Sequence, residues 1–148
     1  MFKNIVFVCT GNICRSPMAE YLFKQQIKNH SSNIQVSSAG THALNEHPIS
    51  MHSATLLKME NLNCDKHKSR QLTKCIINTA DLILVMENFH QYNITSKAIE
   101  SRGKVFLLGH WDAMEIPDPF QKDFAFYKEV MLMIKQGLGS WGKKLKDL

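Results

Sequence analysis

No apolar stretch in this chain is long enough to span a membrane, and the one near the N-terminus breaks at Thr10-Gly11-Asn12, short of a secretory core. A membrane-spanning helix is thereby excluded, and the cytoplasm is the expected address. Cysteine is scarce, with four in 148 residues and no pair at zinc-ligand spacing. Neither a disulfide framework nor a zinc site therefore organises the chain, and a reducing compartment would leave the thiols free for chemistry. The histidines, His42, His47 and His52 among them, have no metal-ligand spacing and read as loop or surface residues; no metal or cofactor is expected. Repeats, low-complexity tracts and linkers are also missing, so residues 1–148 parse as one domain, long enough to bury a core. The Gly-Lys-Ser/Thr ending of a nucleotide-binding loop is absent. So is the interleaving of basic and aromatic residues that marks a nucleic-acid surface.

What the chain does have is a modest positive excess, with 18 Lys and Arg against 13 Asp and Glu. That suits an anionic partner, although Lys143, Lys144 and Lys146 also read as simple solvation of the C-terminal end. Apolar runs at Ile5–Val8, Asp81–Met86 and Val105–Leu108 predict buried strands, and Ile34–Ser37 a shorter one ended by Ala39-Gly40. Between them helical spacing marks Met18, Tyr21, Leu22 and Ile27, with Pro17 near the start and fading at Asn29-His30-Ser31-Ser32. A second helix is marked by Met51, Ala54 and Leu57, and a third runs from Glu87 to about Ser101. The last helix is the best patterned, with Phe124, Tyr127, Met131, Ile134, Leu138, Trp141 and Leu145 on one face; Gly137, Gly139 and Gly142 predict fraying of its second half. Strands alternating with helices predict an α/β fold with a parallel sheet. Cys9, Ser38, Glu87 and the 109–120 loop should then gather at one sheet edge.

The most informative stretch is Cys9-Thr10-Gly11-Asn12-Ile13-Cys14-Arg15-Ser16-Pro17, which follows the first strand and opens the first helix. Cysteine, five residues and arginine occur together by chance in roughly one chain in ten. Cys64 to Arg70 repeats the spacing without glycine, strand or helix start, and reads as an accidental surface match. Context separates the two. A strand end and a helix N-terminus are where anions bind. A tight loop through Thr10, Gly11, Asn12, Ile13 and Cys14 can aim its backbone N–H groups at a phosphate, with Gly11 and Asn12 supplying unusual dihedrals. Arg15 offers a planar fork for two phosphate oxygens. These donors would also favour the thiolate of Cys9, a nucleophile. Ser16 is either a donor to that sulfur or the cap of the following helix.

Thiolate attack on a phosphate ester needs an acid for the leaving oxygen. Asp118, braced by Pro117 and Pro119, is the candidate, although Pro-Asp-Pro alone also makes a turn. Asp112 and Asp123 lack that setting. Phe120 is either a wall for a phenyl ring or a core residue.

Val8 to Pro17, with Ser37-Ser38-Ala39-Gly40-Thr41, His67 before Ser69-Arg70-Gln71-Leu72, and Asp118-Pro119, resembles the low-molecular-weight protein tyrosine phosphatases over essentially the whole chain. Gly103-Lys104-Val105 and Gly109-His110-Trp111-Asp112 resemble the bacterial branch paired with capsule and exopolysaccharide tyrosine kinases. The resemblance implies a three-layer α/β/α fold with a four-stranded parallel sheet in the order 2-1-3-4. It further implies Cys9 as the nucleophile forming a phosphocysteine, Arg15 as clamp, and Asp118 as acid and then base. A network of Asn12, Ser16, Ser38 and His67 would hold the loop, although His67 by itself reads as a solvated polar residue. Cys14 would be the redox partner that traps Cys9 in a disulfide; its other reading is a small packed side chain. Phosphotyrosine proteins, an autophosphorylating kinase among them, would be the partners of a monomer. A thiol-dependent arsenate reductase on the same scaffold is the alternative, with Cys64 and Cys75 as its further thiols.

Overall fold

The structure is a computed structural model describing residues 2–30 and 33–146. Four strands, β1 (Asn4–Cys9), β2 (Gln35–Gly40), β3 (Leu82–Val85) and β4 (Val105–Leu107), form a parallel sheet in the order β2-β1-β3-β4. Among the described residues five α-helices accompany them: α1 (Arg15–Ile27), α2 (Met51–Met59), α3 (Lys74–Thr79), α4 (Asn88–Lys97) and α5 (Phe124–Lys146).

Side-chain alternation along β1 divides the interior. Ile5 and Phe7 point into a core shared with α1, α2 and α5, where Met18, Leu22, Phe23, Leu57, Val130 and Ile134 meet them. Val6 and Val8 point the other way, onto Ile77 of α3 and Ile94 of α4. Both faces of the sheet are covered, which is why β1, β3 and β4 are near-continuous apolar runs rather than alternating ones.

Several sequence expectations change. β2 does not stop at Ser37; its pairing with β1 continues to the register Cys9↔Gly40, and Ala39 is fully buried. The short α3 was not expected. Thr73 caps it by accepting the Ile76 N–H at 3.3 Å, a signal readable in sequence but too brief for periodicity to expose. On α2 the buried face is Ser53, Leu56 and Leu57, while Met51 is 77% exposed, so the Met51–Ala54–Leu57 stripe is rotated from the core. α1 ends at Ile27, so Asn29 and His30 lie beyond it as expected, while Ser31 and Ser32 lie outside the described residues.

The glycines of α5 do not fray it, and the helix continues to Lys146. A Cβ on Gly137 would stand 2.8 Å from the Leu108 carbonyl oxygen, and one on Gly142 would stand 2.2 Å from the Gln26 side chain. Close approach of backbone, which a Cβ would block, explains Gly137; at Gly142 the flexible end of Gln26 could move aside, and Gly139 faces open space. No described helix is long and apolar enough to cross a membrane.

Candidate active site

Parallel strands deliver their following loops to one edge, and there the residues singled out above meet. The segment after β1 turns tightly into α1, which begins at Arg15 with Cys14 as its cap residue. Asn12 takes the left-handed conformation, φ 58°. Gly11 does not: its φ is ordinary, and a Cβ there would meet only Ile13 at 3.7 Å. The expectation that Gly11 supplies special dihedrals is therefore corrected. Asn12 carries the strain, because its short polar side chain can be bonded on every side. Among the described residues, no backbone acceptor in the loops takes the N–H of Gly11, Asn12, Ile13 or Cys14. They are free to converge on an anion.

The bonds around Asn12 fix the direction of its amide hydrogens. The Arg70 N–H can only donate, and it reaches Asn12 Oδ1 at 2.9 Å. The amide's NH2 must then donate both ways, to Ser16 Oγ at 2.8 Å and to Ser38 Oγ at 2.9 Å. Ser38 passes its own hydrogen to Glu20 Oε1 at 2.6 Å. Ser16, already an acceptor, has its hydrogen left for Cys9 Sγ, 2.9 Å away. Ser16 Oγ thus touches the sulfur with a hydrogen available to it, and the cap position of α1 belongs to Cys14, not to Ser16. His67 Nε2 donates to the Asn12 carbonyl at 2.8 Å, and His67 is buried, not solvated. The Cys64–Arg70 segment, expected to be an accidental surface match, makes no anion loop of its own. Through His67 and Arg70 it braces the real one.

Gly40, at the end of β2, lies under the loop. A Cβ there would stand 2.4 Å from the Thr10 carbonyl oxygen and 3.1 Å from the Asn12 N. Gly40→Ala is expected to push the loop outward, costing about 1–3 kcal/mol of stability and weakening inorganic phosphate binding. Denaturant titration and calorimetry check both, and unchanged phosphate affinity would show that the loop absorbs the methyl group.

Arg15 is 1% exposed and held from behind. Its Nη1 donates to Glu87 Oε2 at 2.8 Å and to the Ile116 carbonyl at 2.9 Å. With both Nη1 hydrogens engaged, the Nε and Nη2 edge remains for a ligand. Asp118 Oδ2 stands 3.6 Å from Arg15 Nη2, and Asp118 Oδ1 accepts the Phe120 N–H at 3.0 Å. Asp112 and Asp123 are engaged elsewhere, with Gln136 and with the Phe126 N–H at the start of α5. A cavity of about 250 Å³ gathers Cys9, Arg15 and Asp118 with Ile13, Leu44 and Phe120 on its walls. Phe120 is half exposed there, a wall and not a core residue. Cys14 lines the same cavity as a free thiol, its Sγ 3.3 Å from Tyr127 Oη. Burial pushes the Cys14 thiol up, and burial together with the contact to Cys14 pushes Tyr127 up to about 12. A larger groove of about 550 Å³ beside β2, lined by Lys24, Ser37 and Arg70, contains none of these groups. Among the described residues, no three His, Cys, Asp or Glu side chains gather as a metal requires.

Two residues escaped sequence reading. Glu87 was placed at the edge but not paired with Arg15, since a contact across the chain leaves no local pattern. His90 was not singled out at all. It is fully buried, with Nδ1 accepting the Glu87 N–H at 3.1 Å and Nε2 at 2.8 Å from Thr10 Oγ1. Burial, then the positive charge of Arg15 and then His42, lowers its pKa from 6.5 to about 3. The unfolded chain therefore binds a proton that the folded one refuses. Stability is complete above about pH 6.5 and falls as pH drops toward 3, by at most about 1.4 kcal/mol per unit. His90→Gln is expected to flatten that slope in denaturant titrations; an undiminished slope would assign it to other groups.

With this geometry in place, comparison with known proteins is informative. Residues 4–148 match the family described as low molecular weight phosphotyrosine protein phosphatase. The chain is 38% identical over 144 residues to the low molecular weight protein-tyrosine-phosphatase Ptp of Acinetobacter johnsonii, covering 97% of this chain and 99% of that one. Vibrio vulnificus Wzb, solved with benzylphosphonate, superposes with a TM-score of 0.90 at 34% identity, covering 97% and 99% of the two chains. The YwlE arginine phosphatase of Geobacillus stearothermophilus also superposes with a TM-score of 0.90, at 30% identity over 98% and 94%. A thiol at a strand end, an arginine edge turned to the same cavity and a match across nearly the full length agree, and the chain belongs to the low molecular weight phosphotyrosine protein phosphatase family.

Proposed function

We propose that this phosphatase hydrolyses phosphotyrosine through a phosphocysteine formed on Cys9. The sulfur attacks phosphorus while the P–O bond to the tyrosine breaks, and Asp118 gives its proton to the departing phenolic oxygen. Asp118, now a carboxylate, takes a proton from water as that water attacks phosphorus and releases Cys9. Negative charge on the equatorial oxygens is met by the Nε and Nη2 edge of Arg15 and by the loop N–H groups. Asn12, Ser16, Ser38 and His67 keep the loop in its strained shape throughout.

One observation carries the choice of substrate: the walls of the cavity, Ile13, Leu44 and Phe120, are apolar. An aromatic ring buries surface against them, whereas the guanidinium of phosphoarginine would lose hydration with no polar partner among those three. A phosphoserine side chain is too short to use them. Cys64 and Cys75, the thiols an arsenate relay would draw on, do not line the cavity, and Cys75 is exposed on α3. The same reading makes the chain a single cytoplasmic domain acting as a monomer without nucleic acid. It names an autophosphorylating tyrosine kinase of capsule or exopolysaccharide synthesis as the protein substrate. Reversible capture of Cys9 by Cys14 belongs to it as well, requiring Cys14 to leave Tyr127.

Steady-state hydrolysis of phosphotyrosine, phosphoserine and phosphoarginine peptides tests the reading, run beside thiol-dependent arsenate reduction. Phosphotyrosine is expected to be preferred and arsenate reduction absent. A preference for phosphoarginine would overturn the role given to the apolar walls.

A further inference from the structure

The first turn of α4 touches the phosphate loop near both of its ends. Glu87, the cap residue, holds Arg15; His90, one turn on, holds Thr10. The two are joined, since the Glu87 N–H donates to His90 Nδ1 at 3.1 Å. A backbone N–H can only donate, so Nδ1 is the bare nitrogen and Nε2 carries the hydrogen. Nε2–H then donates to Thr10 Oγ1 at 2.8 Å. A hydroxyl that accepts there keeps its own hydrogen for another partner, and among the described residues no acceptor takes it. Thr10 itself lines the cavity beside Cys9.

We propose that His90 is a positioning residue for phosphoryl transfer, locking Thr10 so that its hydroxyl donates to a non-bridging oxygen of the phosphoryl group. The inference rests on the phosphatase reading above and adds a side-chain donor to the backbone cradle. Pinning Thr10 also fixes the backbone immediately after Cys9, where the N–H groups must converge on the same oxygens. No proton leaves His90. The charged and titratable groups facing it are Arg15 from α1, His42 beyond β2 and Glu87 at its own helix end. Protonation would put a second hydrogen on Nδ1, opposed to the Glu87 N–H. His90 thus presents an uncharged donor of fixed direction across the working pH range.

The test is a double-mutant cycle of Thr10→Val and His90→Phe, with His90→Gln as the conservative variant. Assays use an aryl phosphate and a phosphotyrosine peptide, with phosphate affinity measured by calorimetry. Each single change is expected to lower kcat about 10- to 100-fold, with much less effect on KM and weaker phosphate binding. The double variant should be no worse than the poorer single, because both remove one interaction. His90→Gln, whose amide can still donate to Thr10, should recover most of kcat. Should His90→Phe fail to fold, Thr10→Val and the wild-type imidazole still decide. Long-range ¹H–¹⁵N spectra are expected to show His90 as the neutral Nε2–H tautomer from about pH 5 to 8. Unaltered kcat and phosphate affinity in Thr10→Val, additive losses, or an Nδ1–H tautomer would each overturn the proposal. A wild type inactive on both substrates would instead overturn the phosphatase reading, leaving the tautomer and the phosphate affinity of Thr10→Val to judge the positioning.

Discussion

Cys9→Ser is expected to abolish turnover, by more than about 10⁵-fold, while leaving inorganic phosphate binding largely intact. The physical reason is a division of labour within the loop. On the proposed reading, the donors for the phosphate are backbone N–H groups and the far edge of Arg15, which Glu87 and Ile116 hold from behind. None of these depends on the sulfur. Attack on phosphorus does, because a serine hydroxyl is almost never ionised near neutral pH and is a far weaker nucleophile. Ser16 would then donate to an oxygen in place of Cys9 Sγ, so the network around Asn12 need not rearrange. Single-turnover kinetics with an aryl phosphate, beside calorimetric titration with phosphate, reads both halves. Substantial residual turnover would remove Cys9 from the nucleophile's role; loss of phosphate binding would show that the cradle needs the sulfur.

Asp118→Asn is expected to cost about 10²–10⁴-fold in kcat with poor leaving groups. With an activated aryl phosphate, whose phenolate leaves without help, the loss in the first step should be much smaller. Asparagine matches aspartate in shape and its Oδ1 can still accept the Phe120 N–H, so the loop between Pro117 and Phe120 keeps its form. What disappears is the transferable proton and the charge 3.6 Å from Arg15 Nη2. A dependence on leaving-group basicity that steepens in the variant is the signature of a lost acid. An unchanged rate with phosphotyrosine would move the acid to another residue. Asp118 is half exposed, which suits the acid-then-base role proposed for it, since such a group exchanges protons with water between its two steps.

The two variants also separate what different stretches of sequence can reveal. Cys9 and Arg15 lie in one short segment between an apolar run and a helix start, so their shared direction follows from local geometry. Asp118 was legible because its prolines restrict the backbone independently of anything else. Strand topology placed Ser38 at the edge, but His67 emerged only by family resemblance, because nothing next to it distinguishes it from a solvated histidine. Burial shows why it is not one: its partner is a carbonyl of the phosphate loop, contributed from far along the chain. Gly11 misled for a related reason. Glycine is permissive but need not use its freedom, and the strained position belongs to Asn12, while steric necessity falls on Gly40.

What the sequence by itself determined is the alternation of apolar runs with helical faces, the cysteine–arginine loop at the first strand end, and the braced aspartate. All are consequences of short-range periodicity and restricted backbone dihedrals. What only the tertiary structure decided is who holds whom. Glu87 stands behind Arg15, His90 donates to Thr10, Arg70 orients the Asn12 amide, and Gly40 clears the space beneath the loop. A hydrogen bond has a direction and a Cβ has a volume. Neither can be assigned until the sheet has brought distant loops to a common edge.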